Sequence, residues 1–339
     1  MQQHLFRKSG LRRPSVTSAK LVVRVRGNIS ATIRSCACVG AMAIIAAACQ
    51  AAPTSAPSAN QFENFPVTIQ EPGGAAVIIE KQPRRIISLS PTATEMLYAI
   101  GAGPQVVAVD DQSNYPAGVP TTKLSGFQPN IEGIAAYTPD LVVAAEDTAG
   151  LVHGLEALKI PILIQLAAKN LEGSYQEIKQ LGVATGHSPE ATALEKTMRS
   201  EVGAVIASIP KPIKPLTVYH ELDNTYYSAT SDTFIGQVYA LLGLKNIADA
   251  AAARAPDYPQ LSAEYIVASN PDLIVLADTK CCHQDANTVS ARPGWSLIAA
   301  VRSGQVILAD DDVSSRWGPR VVDFLKLLAP HVRAVELTQ

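Results

Sequence analysis

The sequence predicts an α/β protein of two similar lobes bridged by one long helix, and three observations carry that expectation. The pattern Glu-x6-Pro-Asp-Leu followed by an apolar strand occurs twice, 132 residues apart, beginning at Glu132 and at Glu264. Around each copy, short apolar runs alternate with helical patterns, the order that builds a mainly parallel sheet. Between the copies, Ser188-Pro189-Glu190 opens a helix in which Ala191, Leu194, Met198, Val202, Val205 and Ile209 recur at spacings of three or four. A helix of about 21 residues spans roughly 30 Å, enough to reach from one lobe to the other.

Residues 1–48 hold eight basic side chains and no acidic one. The apolar run 35–48 that follows Arg34 is short for a membrane span, which needs about 20 residues, and suits a signal peptide. It ends Ala46-Ala47-Ala48-Cys49, which resembles the lipobox of bacterial lipoproteins and implies lipidation of Cys49. An ordinary signal peptide cut near Ala52, with Cys49 discarded, is the alternative. Residues 50–60 are rich in Pro, Ser and Ala and carry no charge, so 49–62 are expected to form a lipidated flexible tether. Without the leader, 20 Lys and Arg face 30 Asp and Glu. A net charge of about −10 speaks against nucleic acid as a partner. We expect an exported monomer held on the outer face of the cytoplasmic membrane, or in the periplasm, and touching the bilayer through its lipid anchor alone.

The N-terminal lobe, 63–187, opens with a β-hairpin of strands 65–69 and 75–79 around Pro72-Gly73-Gly74. Strand 85–89 follows; Ser90 then caps a helix with Pro91 at its first position that stops at Gly101. Next come strand 106–109, a polar loop, a strand near Leu124, a short helix capped by Asn130 with Glu132 at its second position, and strand 141–144. Pro139 forbids helix before that last strand. The connecting helix occupies 188–210. The C-terminal lobe, 211–339, repeats the order: strand 216–219, a polar loop, helix 234–243, a helix capped by Ser262 with Glu264 at its second position, strand 273–276, strand 306–308 and a closing helix 319–328. An acid in the first turn also complements the helix dipole by about 0.3–1 kcal/mol, so each glutamate has a purely structural reading.

In their order and spacing, Ile86-Ile87-Ser88-Leu89-Ser90-Pro91 with Thr94-Glu95, Asn114-Tyr115-Pro116, residues 126–132, Pro139-Asp140-Leu141-Val142 and Trp317-Gly318-Pro319-Arg320 resemble the vitamin B12 and ferric-siderophore class of substrate-binding proteins of bacterial ABC importers. The resemblance covers about 65–335 and lies nearest the vitamin B12-binding branch. It implies two Rossmann-like lobes on a single long rigid helix, the class III periplasmic-binding-protein fold, with ligand in the interlobe cleft. It implies that Glu132 and Glu264 dock onto arginines of a permease dimer. The cargo it implies is a large metal-containing nutrient, a cobalamin or related corrinoid first and a ferric siderophore or haem second. No cofactor is expected beyond the cobalt or iron of the ligand itself.

Ligands in α/β sheets sit at the carboxyl ends of the strands. On the first lobe this selects Pro91 and Thr92, then Gln112 and Tyr115, then Phe127 and Gln128, and Glu146. On the second it selects Glu221, Tyr226, Arg316 and Trp317. A corrin is large, flat and fringed with amides, so Phe127, Tyr115, Tyr226 and Trp317 could form aromatic walls, each with a core role as its alternative. Arg316 and Arg320 would suit an anionic ferric chelate, although Arg320 is expected to tie down a helix start. For Cys281-Cys282-His283 we expect a vicinal disulfide that stiffens a cleft loop; two free thiols, or a thiolate or His283 reaching the metal of the ligand, are the alternatives. No CxxC or HExxH pattern suggests a metal site of the protein's own. No nucleophile elbow, P-loop or dinucleotide fingerprint is present, so an enzyme is not expected. A hydrolase using His220-Glu221 and a receptor coupled to a sensor are the readings from other classes.

Overall fold

Hairpin strands β1 (Val67–Gln70) and β2 (Ala76–Ile79) pair antiparallel at the start of the computed structural model, which describes residues 65–71, 74, 76–210, 214–252, 255 and 257–336. The expected signal peptide, tether and lipidated Cys49 lie outside the described residues. The first lobe then runs β3 (Ile86–Leu89), α1 (Pro91–Ala99), β4 (Val106–Val109), α2 (Ile131–Ala135), β5 (Leu141–Ala144), α3 (Leu151–Ala157), β6 (Ile162–Ile164) and α4 (Leu171–Thr185). Its strands form a parallel sheet in the order β4-β3-β5-β6.

Helix α5 (Ser188–Ala207) links the lobes. The second runs β7 (Thr217–Glu221), α6 (Phe234–Leu241), β8 (Lys245–Asn246), α7 (Ala263–Ser269), β9 (Leu273–Leu276), α8 (Ala286–Ser290), α9 (Ala299–Arg302), β10 (Val306–Leu308), α10 (Asp311–Ser315) and α11 (Val321–Glu336). Its parallel sheet has the order β10-β9-β7-β8. No helix among the described residues is long and apolar enough to cross a membrane.

The period-2 alternation of strand side chains decides how the layers pack. Leu141 and Val143 of β5 and Leu273 and Val275 of β9 point into one core, whereas Val142 with Ala144, and Ile274 with Leu276, face separate cores on the outer side of each sheet. The shared core is continuous from Met96 and Leu97 of α1 through Leu181, Met198 and Val202 to Tyr239, Phe324 and Leu328. The lobes are therefore joined by a common apolar base as well as by α5, and rigidity does not rest on one helix alone.

The two glutamate helices are built alike. Asn130 Oδ1 accepts the Gly133 N–H at 2.8 Å and Ser262 Oγ accepts the Tyr265 N–H at 3.1 Å, caps worth about 1 kcal/mol each. In both copies the residue before the proline takes a left-handed conformation, Thr138 at φ 47° and Asn270 at φ 47°. The aspartate after the proline clamps a neighbouring strand: Asp140 accepts the N–H groups of Arg84 and Arg85 at 2.9 and 2.8 Å, and Asp272 accepts the Thr217 N–H and hydroxyl at 2.8 Å each. Pro-Asp in the repeat thus serves the fold.

Two of the expected elements differ in the structure, and further elements appear, among them β8, α8, α9 and α10 of the second lobe. No strand forms near Leu124; the segment 110–130 is a loop with one isolated bridge, Val109 to Thr121, and is held by side chains such as Thr122, whose hydroxyl donates to Val109 O at 2.8 Å. The closing helix continues past Leu328 to Glu336 through Pro330, because Leu325, Leu328, Ala329, Val332 and Val335 keep an apolar stripe against the core. Helices α3 and α4 and strand β6, not expected from the sequence, complete the first lobe.

Candidate functional site

The carboxyl ends of the two sheets meet through an ionic network. Glu95, on the buried face of α1 and 3% exposed, receives Arg316 Nη1 at 2.8 Å and Arg320 Nε at 2.8 Å from the segment after α10. Arg316 also donates to Asn114 Oδ1 at 3.0 Å, to the Gln112 carbonyl at 3.2 Å and to Asp312 at 2.7 Å. Asn114 Nδ2 returns a bond to Asp312 at 2.9 Å. The loop after β4 and the loop after β10, one from each lobe, are thereby fastened together. Burial works to raise the Asp312 carboxyl, but Arg316, Asn114 and Lys280 together hold it below its ordinary range. Arg320 stacks its guanidinium 4.1 Å from the ring centre of Tyr115, which presents that ring, 45% exposed, at the rim.

Behind this strut, Trp317 donates its indole N–H to Glu177 at 2.7 Å, and the hydroxyl of Ser174 donates to the Trp317 carbonyl. Burial pushes the Glu177 carboxyl up to about 8, against the opposing hydrogen bond from Trp317. On the second lobe, Arg292 grips Glu221 through two bonds of 2.6 Å and lies over the rings of Trp295 and Tyr226, 4.5 and 5.3 Å from their centres. Asp278, fully buried at the end of β9, is pushed up to about 8 by desolvation and then by Glu221. One guanidinium against two buried carboxyls is neutral only while Asp278 keeps its proton. The loop that leaves Asp278 carries Cys281 and Cys282, whose sulfurs are paired with each other.

These placements divide the sequence-selected residues. Gln112, Tyr115, Gln128 and Glu146 are exposed around the first-lobe rim, with Phe127 half-buried beside them. Tyr226 is half-buried and stacked on Trp295, ring centres 5.7 Å apart. Pro91 and Thr92 are buried in the first turn of α1, at the carboxyl end of β3. Glu221 is fully buried within β7, which runs two residues past the expected end at Tyr219, and its carboxylate is held by Arg292. Trp317 is 8% exposed and belongs to the shared core, where its indole N–H donates to Glu177. Arg316 is spent on Glu95 and Asp312, which leaves no unpaired guanidinium there for an anionic chelate. Glu132 and Glu264 are exposed, and no described residue makes an ion pair or hydrogen bond with either carboxylate.

Several residues of the network were not singled out from sequence. Asp312 and Arg316 stand four apart, the spacing of a helical ion pair, which was a readable signal. Glu95 is an acid among the apolar positions of α1, also readable; Arg292, Asp278 and Glu177 carry no local pattern. Among the described residues no group of three or more His, Cys, Asp or Glu is arranged to hold a metal ion. A groove of about 790 Å³ opens elsewhere, at the amino ends of the first sheet between Ile79, Arg84, Asp140 and Lys159. It lies away from the carboxyl-end loops, and its Asp140 carboxylate is already committed to the Arg84 and Arg85 N–H groups.

His220 is a core residue of β7, fully buried, with Nδ1 2.6 Å from the Tyr239 hydroxyl. Desolvation lowers its pKa from the ordinary 6.5 to about 3. The unfolded chain therefore binds this proton first, so the stability His220 contributes is complete above pH 6.5 and falls as pH drops toward 3, by up to about 1.4 kcal/mol per pH unit. Urea midpoints measured from pH 7 to 4 should fall less steeply in His220→Gln than in the wild type. Equal slopes would reject the assignment.

A model of the family described as periplasmic binding protein matches residues 86–313. An uncharacterized ABC transporter substrate-binding lipoprotein of Bacillus subtilis, YvrC, is 33% identical over 80% of this chain and 86% of its own. A cobalamin-binding protein of Halobacterium salinarum is 30% identical over 82% of this chain and 77% of its own. Among solved structures, a possible iron-binding, periplasmic solute-binding protein of Staphylococcus epidermidis superposes with a TM-score of 0.64 at 28% identity, covering 74% of this chain and 99% of that one.

Proposed function

The chain belongs to the periplasmic binding protein family, in the iron and vitamin B12 class that supplies ABC importers, and from that premise we propose that it captures a cobalamin or related corrinoid between its lobes. It is a binding component and not an enzyme. The observation that carries the choice of cargo is the pairing of Arg316 and Arg320 with Glu95 and Asp312. A ferric chelate bearing carboxylates needs unpaired cations in the cleft; a corrinoid with neutral amide arms needs apolar ring faces and scattered donors. Tyr115, Phe127 and Tyr226 supply the rings, and Gln112 and Gln128 supply amides. The cobalamin-binding relative at 30% identity points the same way.

Glu132 and Glu264 are proposed as the docking points for the permease dimer, one on each lobe. Among the described residues their carboxylates make no ion pair or hydrogen bond, unlike those of the Pro-Asp half of the same repeat. Cys49 is proposed as the lipid anchor that holds the exported protein on the outer face of the membrane.

Calorimetry of the mature protein against cyanocobalamin, haemin and a panel of ferric siderophores tests the cargo. Cyanocobalamin is expected to bind with a Kd below about 1 μM, or about −8 kcal/mol. Binding of haemin or a ferric chelate without any corrinoid binding would replace the proposal by the other reading of the same fold.

A further inference from the structure

We infer that the Cys281–Cys282 pair is a redox latch for the second-lobe wall of the cleft: the disulfide form holds the loop and the interlobe contacts in their binding arrangement, and reduction loosens both. This rests on the cargo-binding reading above and adds a control that the reading does not contain.

The loop is pinned from two directions. The Asp311 carboxylate accepts the Thr279 hydroxyl at 2.9 Å, the Lys280 N–H at 3.0 Å and the Cys281 N–H at 2.9 Å. The Asp278 carbonyl accepts the Cys282 N–H at 3.2 Å. Lys280 then pairs with Asp310 at 2.7 Å and with Asp312 at 3.0 Å. Asp312 is the carboxylate that receives Asn114 of the first lobe and Arg316. The sulfur pair is thus one residue from a lysine that feeds the interlobe strut, and the path to the first lobe is Cys281, Lys280, Asp312, Asn114.

Chemistry and location fit a switch. A disulfide between neighbours closes a small ring through their shared peptide, which restricts the turn that leads into His283, held at a left-handed φ of 55°. Both cysteines are half-buried and so within reach of small dithiols. A thiolate of a dithiol attacks one Sγ and breaks the S–S bond to give a mixed disulfide. The second thiol of the reductant displaces it, leaving the reductant as a cyclic disulfide and both cysteines as thiols that have gained two electrons and two protons. With the ring open, the turn regains conformational freedom, and the Asp311 and Lys280 contacts that depend on its shape loosen with it.

The experiment uses the whole mature protein in three forms: as exported, reduced with dithiothreitol and freed of reagent under anaerobic conditions, and Cys281→Ser/Cys282→Ser. The reduced form and the variant are each expected to bind cyanocobalamin about tenfold more weakly than the exported form. Both should also show faster amide exchange in segments 279–284 and 112–115, and reductant should leave the variant unchanged. The inference fails if the exported form takes up two alkyl groups without reduction. It fails equally if protein with thiols proven free keeps both its affinity and its exchange pattern. Should no form bind any corrinoid, haemin or ferric siderophore, the cargo reading falls, and amide exchange of wild type before and after reduction still decides the latch.

Discussion

Replacing Glu95 by alanine should lower the unfolding free energy by about 3–5 kcal/mol, the cost of removing one partner from a buried ion pair and leaving the other charged. Arg316 and Arg320 both end on this carboxylate, which is 3% exposed. Without it Arg316 keeps Asp312, Asn114 and the Gln112 carbonyl, while Arg320 loses its direct carboxylate partner and keeps the ring of Tyr115 and the more distant charges of Asp310 and Asp312. The loss reaches function as well as stability, because the same contacts hold the carboxyl-end loops of the two lobes in register. Urea denaturation followed by tryptophan fluorescence reads the stability, since Trp317 sits in the shared core directly after Arg316. Glu95→Gln keeps the shape and accepts one donor, so it should be milder than Glu95→Ala. A drop of less than about 1 kcal/mol in the alanine variant would place the strut among ordinary surface ion pairs.

Exchange of Glu132 and Glu264 together for alanine should abolish uptake while leaving cargo affinity within about twofold. Each is an exposed acid at the second position of a capped helix, and no described residue makes an ion pair or hydrogen bond with either carboxylate. Truncating one side of a hydrogen-bonded interfacial charge pair costs about 2–5 kcal/mol, so losing one on each lobe should weaken permease docking by well over tenfold. Stability should change by no more than the helix-dipole contribution of about 0.3–1 kcal/mol each. Uptake of labelled cargo by cells carrying the variant, set beside calorimetry of the purified protein, separates the outcomes. Undiminished uptake would remove the docking role, and weakened cargo binding would move these residues into the cleft.

The repeat that first marks the chain turns out to hold two jobs side by side. Pro139-Asp140 and Pro271-Asp272 break a helix and clamp a neighbouring strand, and both functions follow from local chemistry: a missing N–H, a left-handed residue and a short carboxylate. The caps Asn130 and Ser262, the strands of unbroken apolar residues and the long helix from Ser188 are equally local, and so are legible in the sequence. Their boundaries shift by up to three residues because helix and strand ends are settled by packing.

The cleft is different. That Glu95 would meet Arg316 and Arg320 across more than two hundred residues, that Trp317 would turn down onto Glu177, and that Arg292 would consume Glu221 are outcomes of how two sheets and α11 share one apolar core. Sequence by itself determined the lobes, their parallel sheets and the paired acidic tips, since each depends on period, caps and turn chemistry within a few residues. Only the tertiary structure decided which charges are already paired and which rings stay exposed, because the partner that neutralises a buried group is chosen by long-range packing and leaves no mark on the residues beside it.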